Sequence, residues 1–350
     1  MKKLLVKIRR QNNKTPSRIT NETVAEHREQ ILAGGRRFKY PVQYVRHRLV
    51  INAVIISIVA IVVLAFIGWW QLYPMQNTST FMYRVTRVLP LPVASVDGQL
   101  VPYRDYLMKY RSSAYYLQNK EQISLKSDDG KRQLDQVKQQ AMQDAVADAY
   151  AAKLAKKEKI TVTVTELETF LKLQRQSSDG EVSQQTYDAV VMDYYNWSPD
   201  EYRYATKNKL LRQKVAYAID KDASTLRDLI VPLAQASGSK FQDIVATSQA
   251  IGGSKAAYGA SGWVPKTNQD GGLADAAAKL TQNKVSDVIK STTGDGYYFV
   301  RLLDINDTQV SYEYIQIPLS AFKKDLDTIN KAGKVDEYIS IPEAVVSLQN

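Results

Sequence analysis

A run of 22 residues without a charged side chain, Leu49 to Trp70, is the feature that most constrains this chain. Only Asn52 and Ser57 within it are clearly polar. As an α-helix the run would extend about 33 Å, which is enough to cross a bilayer core of about 30 Å. A helix of a soluble protein is rarely apolar on every face over such a length. The sequence therefore predicts a single transmembrane helix.

The charges are distributed unequally about this run. Thirteen Lys and Arg and three Glu precede Leu49, so the first 48 residues carry +10 of the net charge of +11. Because Lys and Arg are enriched on the cytoplasmic side, we expect a cytoplasmic N-terminus and 280 extracytoplasmic residues after Trp70. The run is too long for a signal peptide and no small-residue cleavage site follows it, which favours an uncleaved anchor. The basic block is interpreted as a topology signal that attracts anionic lipid, and no nucleic acid partner is expected.

Side-chain chemistry limits the functions that the outer part can perform. The chain has no cysteine, which excludes disulfides, thiolate zinc sites and thiol catalysis. Its two histidines, His27 and His47, both precede the apolar run. Outer chemistry that requires imidazole or thiol is therefore excluded. Since no phosphate-binding loop and no ligand-spaced cluster is present either, no metal and no cofactor is expected.

Up to residue 220 the pattern is mostly helical. A short helix is predicted from Thr20 to Leu32 and should end at Gly34-Gly35. The segment 71–92 has three prolines and no helical period, and is predicted to be a linker. Asp97-Gly98 predicts a tight hairpin turn within 93–101. Helices should then occupy 103–118, 131–158, a segment capped by Thr165 and Glu168, 183–195, and a segment that begins at Ser198-Pro199 and ends near 219.

From residue 221 the composition changes. Helices are predicted over 226–236, interrupted or kinked at Pro232, and over 241–249. A glycine-rich loop, 251–263, and a short helix, 273–280, follow. Strands are predicted over 297–305 and 310–319. The whole chain is therefore predicted to be α+β, with a single N-terminal transmembrane helix, a mostly helical module and a small domain with an antiparallel sheet.

Five motifs in the right order resemble the SurA/PrsA-type extracytoplasmic chaperones. Three motifs resemble the helical chaperone module of that family: ASVDGQLVPYRDYL, the long helix that leads into ITVTV, and WSPDEYRYATKNKLLRQKVA. GGSKAAYGASGWV and GDGYYFVRLLDI resemble its parvulin (PpiC-type) peptidyl-prolyl isomerase domain. The resemblance covers about residues 93–317. It implies the binding of unfolded or newly exported polypeptides.

The usual parvulin catalytic residues are missing from the matching positions. The second family histidine corresponds to Tyr298, and the acid before the Gly-Trp pair corresponds to Ala260. The family's Met and Phe of the proline pocket correspond to Gln269 and Leu273. The resemblance thus implies a degenerate isomerase domain whose peptide-binding residues are Trp263, Gln269, Leu273, Tyr298 and Tyr314.

The segment 311–317, SYEYIQI, resembles the first parvulin strand, with Tyr314 where a histidine would lie. No convincing first strand precedes residue 226, and a sheet without it would expose an edge. We therefore expect 311–317 to pair within the sheet that contains 285–303.

Three functions are compatible with these patterns. The first is a membrane-anchored chaperone or foldase with weak or absent isomerase activity. The second is an active isomerase that uses Tyr298 and Asp295, and the third is a non-chaperone membrane interaction protein. The predicted organisation begins with a basic cytoplasmic tail (1–48), the anchor (49–70) and the linker (71–92). A SurA-like helical domain (93–220), a parvulin-like domain (221–320) and a C-terminal helix or tail (321–350) follow.

Overall fold

The computed structural model describes residues 20–39, 41–177, 180–252 and 254–342. It divides into two compact units, Met1–Trp70 and Gln71–Asn350. In the first unit α1 spans Asn21–Lys39, and α2, Pro41–Leu72, contains the whole apolar run. The stretch Arg48–Leu72 is long and apolar enough to cross a bilayer, and residues 49–67 within it are all exposed. Residues 1–19 of the predicted tail lie outside the described residues.

The predicted end of the first helix at Gly34-Gly35 is wrong. Helix α1 continues through both glycines to Lys39. A glycine in a helix costs only about 1 kcal/mol relative to alanine and keeps its backbone hydrogen bonds. A glycine pair alone therefore does not end a helix.

The second unit begins with elements that the linker prediction did not contain. Helix α3, Thr80–Val88, lies inside 71–92, and its Met82 and Thr86 are buried. The three prolines of this segment flank the nine-residue helix without interrupting it. Strands β1, Pro92–Val96, and β2, Gln99–Pro102, then form the predicted hairpin.

Five helices follow the hairpin in the predicted order. They are α4 Tyr103–Asn119, α5 Asp128–Glu158, α6 Val164–Gln174, α7 Gln184–Tyr195 and α8 Pro199–Ile219. A two-residue hairpin, β3 Gln176–Ser177 and β4 Gly180–Glu181, separates α6 from α7.

The predicted cap of α6 is wrong by two residues. Thr163 and Glu166 form the capping box, whereas Thr165 and Glu168 were expected to do so. Both pairs fit the capping pattern, but the earlier start adds half a turn to the helix. Glu168 forms an ion pair with Arg203 of α8 instead.

The second half of the unit consists of helices packed on one sheet. Helices α9 Lys221–Gln235, α10 Phe241–Thr247 and α11 Leu273–Ala278 accompany strands β5 Ala257–Pro265, β6 Ile289–Lys290, β7 Gly296–Ile305 and β8 Gln309–Pro318. The strand order is β5-β8-β7-β6, and every pair is antiparallel. The expectation that 311–317 pairs within this sheet is confirmed, since β8 pairs with both β5 and β7.

Two predictions in this half differ from the structure. Helix α9 begins at Lys221, before the predicted start at residue 226, and Pro232 lies inside it without ending it. Part of the predicted glycine-rich loop, 251–263, belongs to β5. Its small residues do not show a strand pattern in the sequence. Their place in the sheet depends on contacts with large side chains of β8, such as that of Tyr314 over Gly259.

The C-terminal segment packs against the β1–β2 hairpin and the helices α4 and α5, which together are called the hairpin module. After α12, Ala321–Lys331, strand β9, Val335–Glu337, pairs with β1 to give the strand order β2-β1-β9. Ile339 is buried in the same core as Val93, Leu107 and Met142. Residues from both ends of this unit therefore build its first hydrophobic core.

Candidate functional site

The four-stranded sheet has two differently covered faces. Tyr297, Phe299 and Ile315 point to one face and pack with α9 and α10. On the other face Tyr298 and Tyr312 pack with Leu273 of α11. Because side chains alternate along a strand, Tyr314 shares the α11 face with Tyr298 and Tyr312. This face carries the positions that the parvulin resemblance assigns to the active site.

The three tyrosines form a continuous aromatic cluster. The ring centroids of Tyr298 and Tyr314 are 5.7 Å apart, and those of Tyr312 and Tyr314 are 6.3 Å apart. The ring of Tyr314 crosses directly over Gly259 of β5, where any Cβ would overlap Tyr314 Cζ. A side chain at position 259 would therefore displace Tyr314.

Each of the two outer tyrosines donates a hydrogen bond to a carboxylate, and for Tyr298 the acceptor is Asp295. The hydroxyl of Tyr298 donates to Asp295 Oδ2 over 2.6 Å, and Thr293 Oγ1 donates to Asp295 Oδ1 over 2.6 Å. Burial alone would raise the pKa of Asp295, but the hydrogen bonds from Thr293 and Tyr298 hold it below its usual value. Burial and the bond to Asp295 raise the pKa of the Tyr298 phenol.

Tyr312 makes the corresponding contact on the other side of the cluster. Its hydroxyl donates to Asp270 Oδ2 over 2.5 Å, and burial together with this bond raises its pKa. Asp270 also accepts from the backbone N–H groups of Leu273 and Ala274 at the start of α11. Both outer phenols thus stay protonated at neutral pH and act as hydrogen-bond donors rather than as bases.

The structure brings some of the predicted site residues together and separates others. Tyr298, Tyr314 and Leu273 lie in one cluster, with Asp295 bonded to Tyr298. Gln269 is exposed in the loop before α11. Ala260, at the position of the family acid, has no titratable group to offer.

Trp263 does not join this cluster. It pairs with Ser311, which puts it on the sheet face opposite Tyr314, and its side chain is 48% exposed. The register of β5 shifts between Ala260 and Trp263. One extra residue in a strand turns all the following side chains to the other face. The structure thus places Trp263 on the sheet face opposite Tyr298 and Tyr314.

A second concave surface was not predicted. A groove of about 770 Å³ lies between α5, α8 and the C-terminal segment. Sequence reasoning missed it because α12 and β9 reach α5 only through the tertiary fold. Its apolar lining comes from Met142, Val146, Phe322, Leu326, Val335 and Ile341.

Comparisons with known families agree with this architecture. The profile of the SurA-like N-terminal domain matches residues 43–216, and that of the PPIC-type PPIase domain matches residues 187–315. The two matches overlap over residues 187–216, which include most of α7 and most of α8. A comparison with curated protein sequences finds no match. The chain joins a SurA-like N-terminal domain to a PPIC-type peptidyl-prolyl isomerase domain, and it therefore belongs with the SurA/PrsA-type chaperones.

Proposed function

We propose that this protein is a membrane-anchored extracytoplasmic chaperone that binds unfolded exported polypeptides and has weak or no prolyl isomerase activity. The observation that carries the proposal is the tyrosine cluster on the α11 face. Tyr298 and Tyr314 take the two positions at which the resemblance implies histidines, and their rings lie in contact range. Tyr298, Tyr312 and Leu273 are buried and Tyr314 is half-buried, so Tyr314 is the ring through which the cluster would contact a peptide side chain.

The chemistry of the cluster argues against efficient catalysis. Rotation about a prolyl bond crosses a barrier of about 20 kcal/mol, which an enzyme lowers by desolvating and twisting the amide. The hydroxyls of Tyr298 and Tyr312 already donate to carboxylates, and Tyr314 covers Gly259. Few polar groups on this face are thus directed at a substrate amide.

The groove beside α12 supports a role in holding unfolded chains. Its apolar residues alternate with amides and charges such as Gln139, Asp144 and Arg212. Peptide-binding sites commonly combine an apolar lining with a small number of polar groups. A volume of about 770 Å³ accommodates several side chains of an extended client.

The exposed apolar stretch of α2 supports anchoring in the membrane. Its hydropathy and length suit a bilayer, and the basic residues precede it. By the positive-inside rule the second unit is then extracytoplasmic. In this arrangement the chaperone would meet exported chains close to the membrane surface.

One observation favours an active isomerase as the second candidate function. Tyr298 and Asp295 form a short hydrogen bond on the strand where the family has its second histidine. A phenol held in this way could donate a hydrogen bond to the substrate amide if it left Asp295.

Refolding of unfolded clients in the presence of the detergent-solubilised full chain separates these functions. We expect the protein to suppress aggregation of an unfolded client while leaving the rate of a proline-limited refolding reaction close to the uncatalysed rate. A marked rate increase that is lost in both Tyr298→Phe and Asp295→Ala would establish the second candidate instead. Failure of the protein to suppress aggregation of the client would contradict the chaperone proposal.

The groove is tested in the same aggregation assay. Leu326→Gln should weaken suppression because it introduces an amide into the apolar lining. Leu233→Gln, on the exposed side of α9, is the matched control and should leave suppression unchanged. Equal effects of the two substitutions would argue against the groove as a client site.

A further inference from the structure

The outward face of α3 exposes large apolar side chains. Phe81 is 71% exposed and Val88 is 82% exposed, and they lie seven residues apart, which places them on one face of the helix. Met82 and Thr86 on the opposite face are buried and hold the helix against the domain. The exposed residues are therefore displayed by a fixed element.

Two arginines accompany these apolar residues. Arg84 lies between Phe81 and Val88 on the exposed side and makes no ion pair within the part of the chain that the structure describes. Arg87 reaches Glu201 at 3.5 Å, and its side chain remains 48% exposed. The surface of α3 thus combines apolar groups with positive charge, and its chemistry suits an anionic partner that also has an apolar interior.

The position of α3 in the chain indicates which partner that is. Leu72, at the end of α2, is fully buried in the core of the second unit, and its carbonyl accepts a hydrogen bond of 2.6 Å from the Tyr103 hydroxyl. In the sequence, the first core residue of the second unit thus lies two positions after Trp70. Met75, 61% exposed, and then α3 follow within a few residues.

We infer that the outward face of α3 docks in the interface of the outer lipid leaflet. Phe81 and Val88 enter the boundary between headgroups and acyl chains, while Arg84 and Arg87 contact lipid phosphates. Amphipathic helices bind in this way, with the apolar face buried about 5–10 Å into that boundary. Arginine contributes because its guanidinium pairs with phosphate while its stem covers apolar surface. The inference rests on the proposed anchoring by α2.

The absence of cysteine from the chain makes a direct test straightforward. Single substitutions Phe81→Cys and Val88→Cys in the full chain are labelled with an environment-sensitive fluorophore and reconstituted in vesicles of anionic and zwitterionic phospholipid. Val164→Cys, at another highly exposed valine, is the matched control. Ile56→Cys, in the middle of the apolar stretch, reports on the anchor itself.

We expect labels at positions 81 and 88 to show blue-shifted emission and strong quenching by a nitroxide attached near the lipid glycerol. The label at 164 should show neither effect. Label quenching at 81 should fall when Arg84 is changed to Gln, which removes the guanidinium. It should also fall when phosphatidylglycerol is replaced by phosphatidylcholine, which removes the net negative charge of the membrane surface.

The ways in which the test can fail are distinguishable. If the label at position 56 is not quenched by a nitroxide near the acyl terminus, the anchoring proposal itself fails. If position 56 is quenched but positions 81 and 88 behave like 164, only the docking of α3 is overturned. Protection at 81 that depends on the protein-to-lipid ratio and not on the lipid quencher would identify a second copy as the occupant and would also overturn the inference.

Discussion

At the scale of single residues, the tyrosine cluster contains two phenols, Tyr298 and Tyr312, that each donate a hydrogen bond to a carboxylate. The pKa of Asp295 lies below its usual value and that of Tyr298 lies above its own, since each stabilises the form in which the other is present at neutral pH. The pair is therefore a stable donor and acceptor, and its removal should affect folding more than proton transfer.

Tyr298→Phe is expected to lower the free energy of unfolding by about 1–3 kcal/mol, because it removes a hydrogen bond to a charged group in a partly buried place. Urea unfolding followed by far-ultraviolet circular dichroism measures the change. Tyr314→Phe is the control, since the Tyr314 hydroxyl makes no hydrogen bond to the described residues, and it should change stability by less than about 0.5 kcal/mol. Equal losses in both variants would contradict this account of the pair.

The close approach of the Tyr314 ring to the backbone of Gly259 is the second feature at the scale of single residues. The contact with the Tyr314 ring leaves no room for a side chain on that face. The bulge that follows, between Ala260 and Trp263, then sends Trp263 to the opposite face. Neither effect is written in the local sequence, which contains only small residues between Gly259 and Trp263.

Gly259→Ala should destabilise the protein by about 1–3 kcal/mol, since overpacking forces the ring of Tyr314 out of its position. The near-ultraviolet circular dichroism of the tyrosines should change at the same time. In the double variant with Tyr314→Ala the two costs should not add, because the clash is absent. Strict additivity would show that the glycine is not required by Tyr314.

At the scale of elements, capping patterns predicted some helix starts correctly and misplaced others. Ser198, Pro199 and Glu201 form the expected start of α8, and Glu201 also accepts a hydrogen bond from Tyr83 of α3 over 2.6 Å. The cap of α6 was predicted two residues too late because two overlapping patterns competed. Local signals thus identify a helix start when only one pattern is present.

Ser198→Ala should cost about 1 kcal/mol of unfolding free energy, since it leaves the backbone N–H of Glu201 without its side-chain acceptor. Chemical denaturation again provides the measurement. Ser113→Ala, at an exposed position inside α4, is the control and should be neutral or slightly stabilising. A neutral result for Ser198→Ala would mean that tertiary contacts alone determine where α8 starts.

At the scale of the whole second unit, the end of α8 and the start of α12 meet at Asp220, although they are 100 residues apart in the sequence. Asp220, between α8 and α9, is buried, and its Oδ1 accepts the N–H of Ala223. Its Oδ2 accepts the backbone N–H groups of Ser320 and Ala321 at the start of α12. One carboxylate thus joins both ends of the segment 221–319.

Ile339→Ala should destabilise the core of the hairpin module by about 2–5 kcal/mol, because Ile339 is buried there although it lies near the C-terminus. Hydrogen exchange should accelerate in α4 and α5, which share this core. Ile305→Ala, at the half-exposed end of β7, is the control and should have a much smaller effect. Unchanged exchange in α4 and α5 would contradict the coupling.

The sequence by itself determined the apolar anchor candidate, the α+β class, the order of most helices and the absence of histidine after His47. These features depend on local periodicity, on capping residues and on residue type, all of which can be read from the sequence without knowledge of the tertiary contacts. Only the tertiary structure decided that Trp263 faces away from Tyr314, that β9 joins β1, and that α12 closes a groove on α5. These depend on strand register and on contacts between residues far apart in the chain, and a single residue of bulge is enough to reverse them.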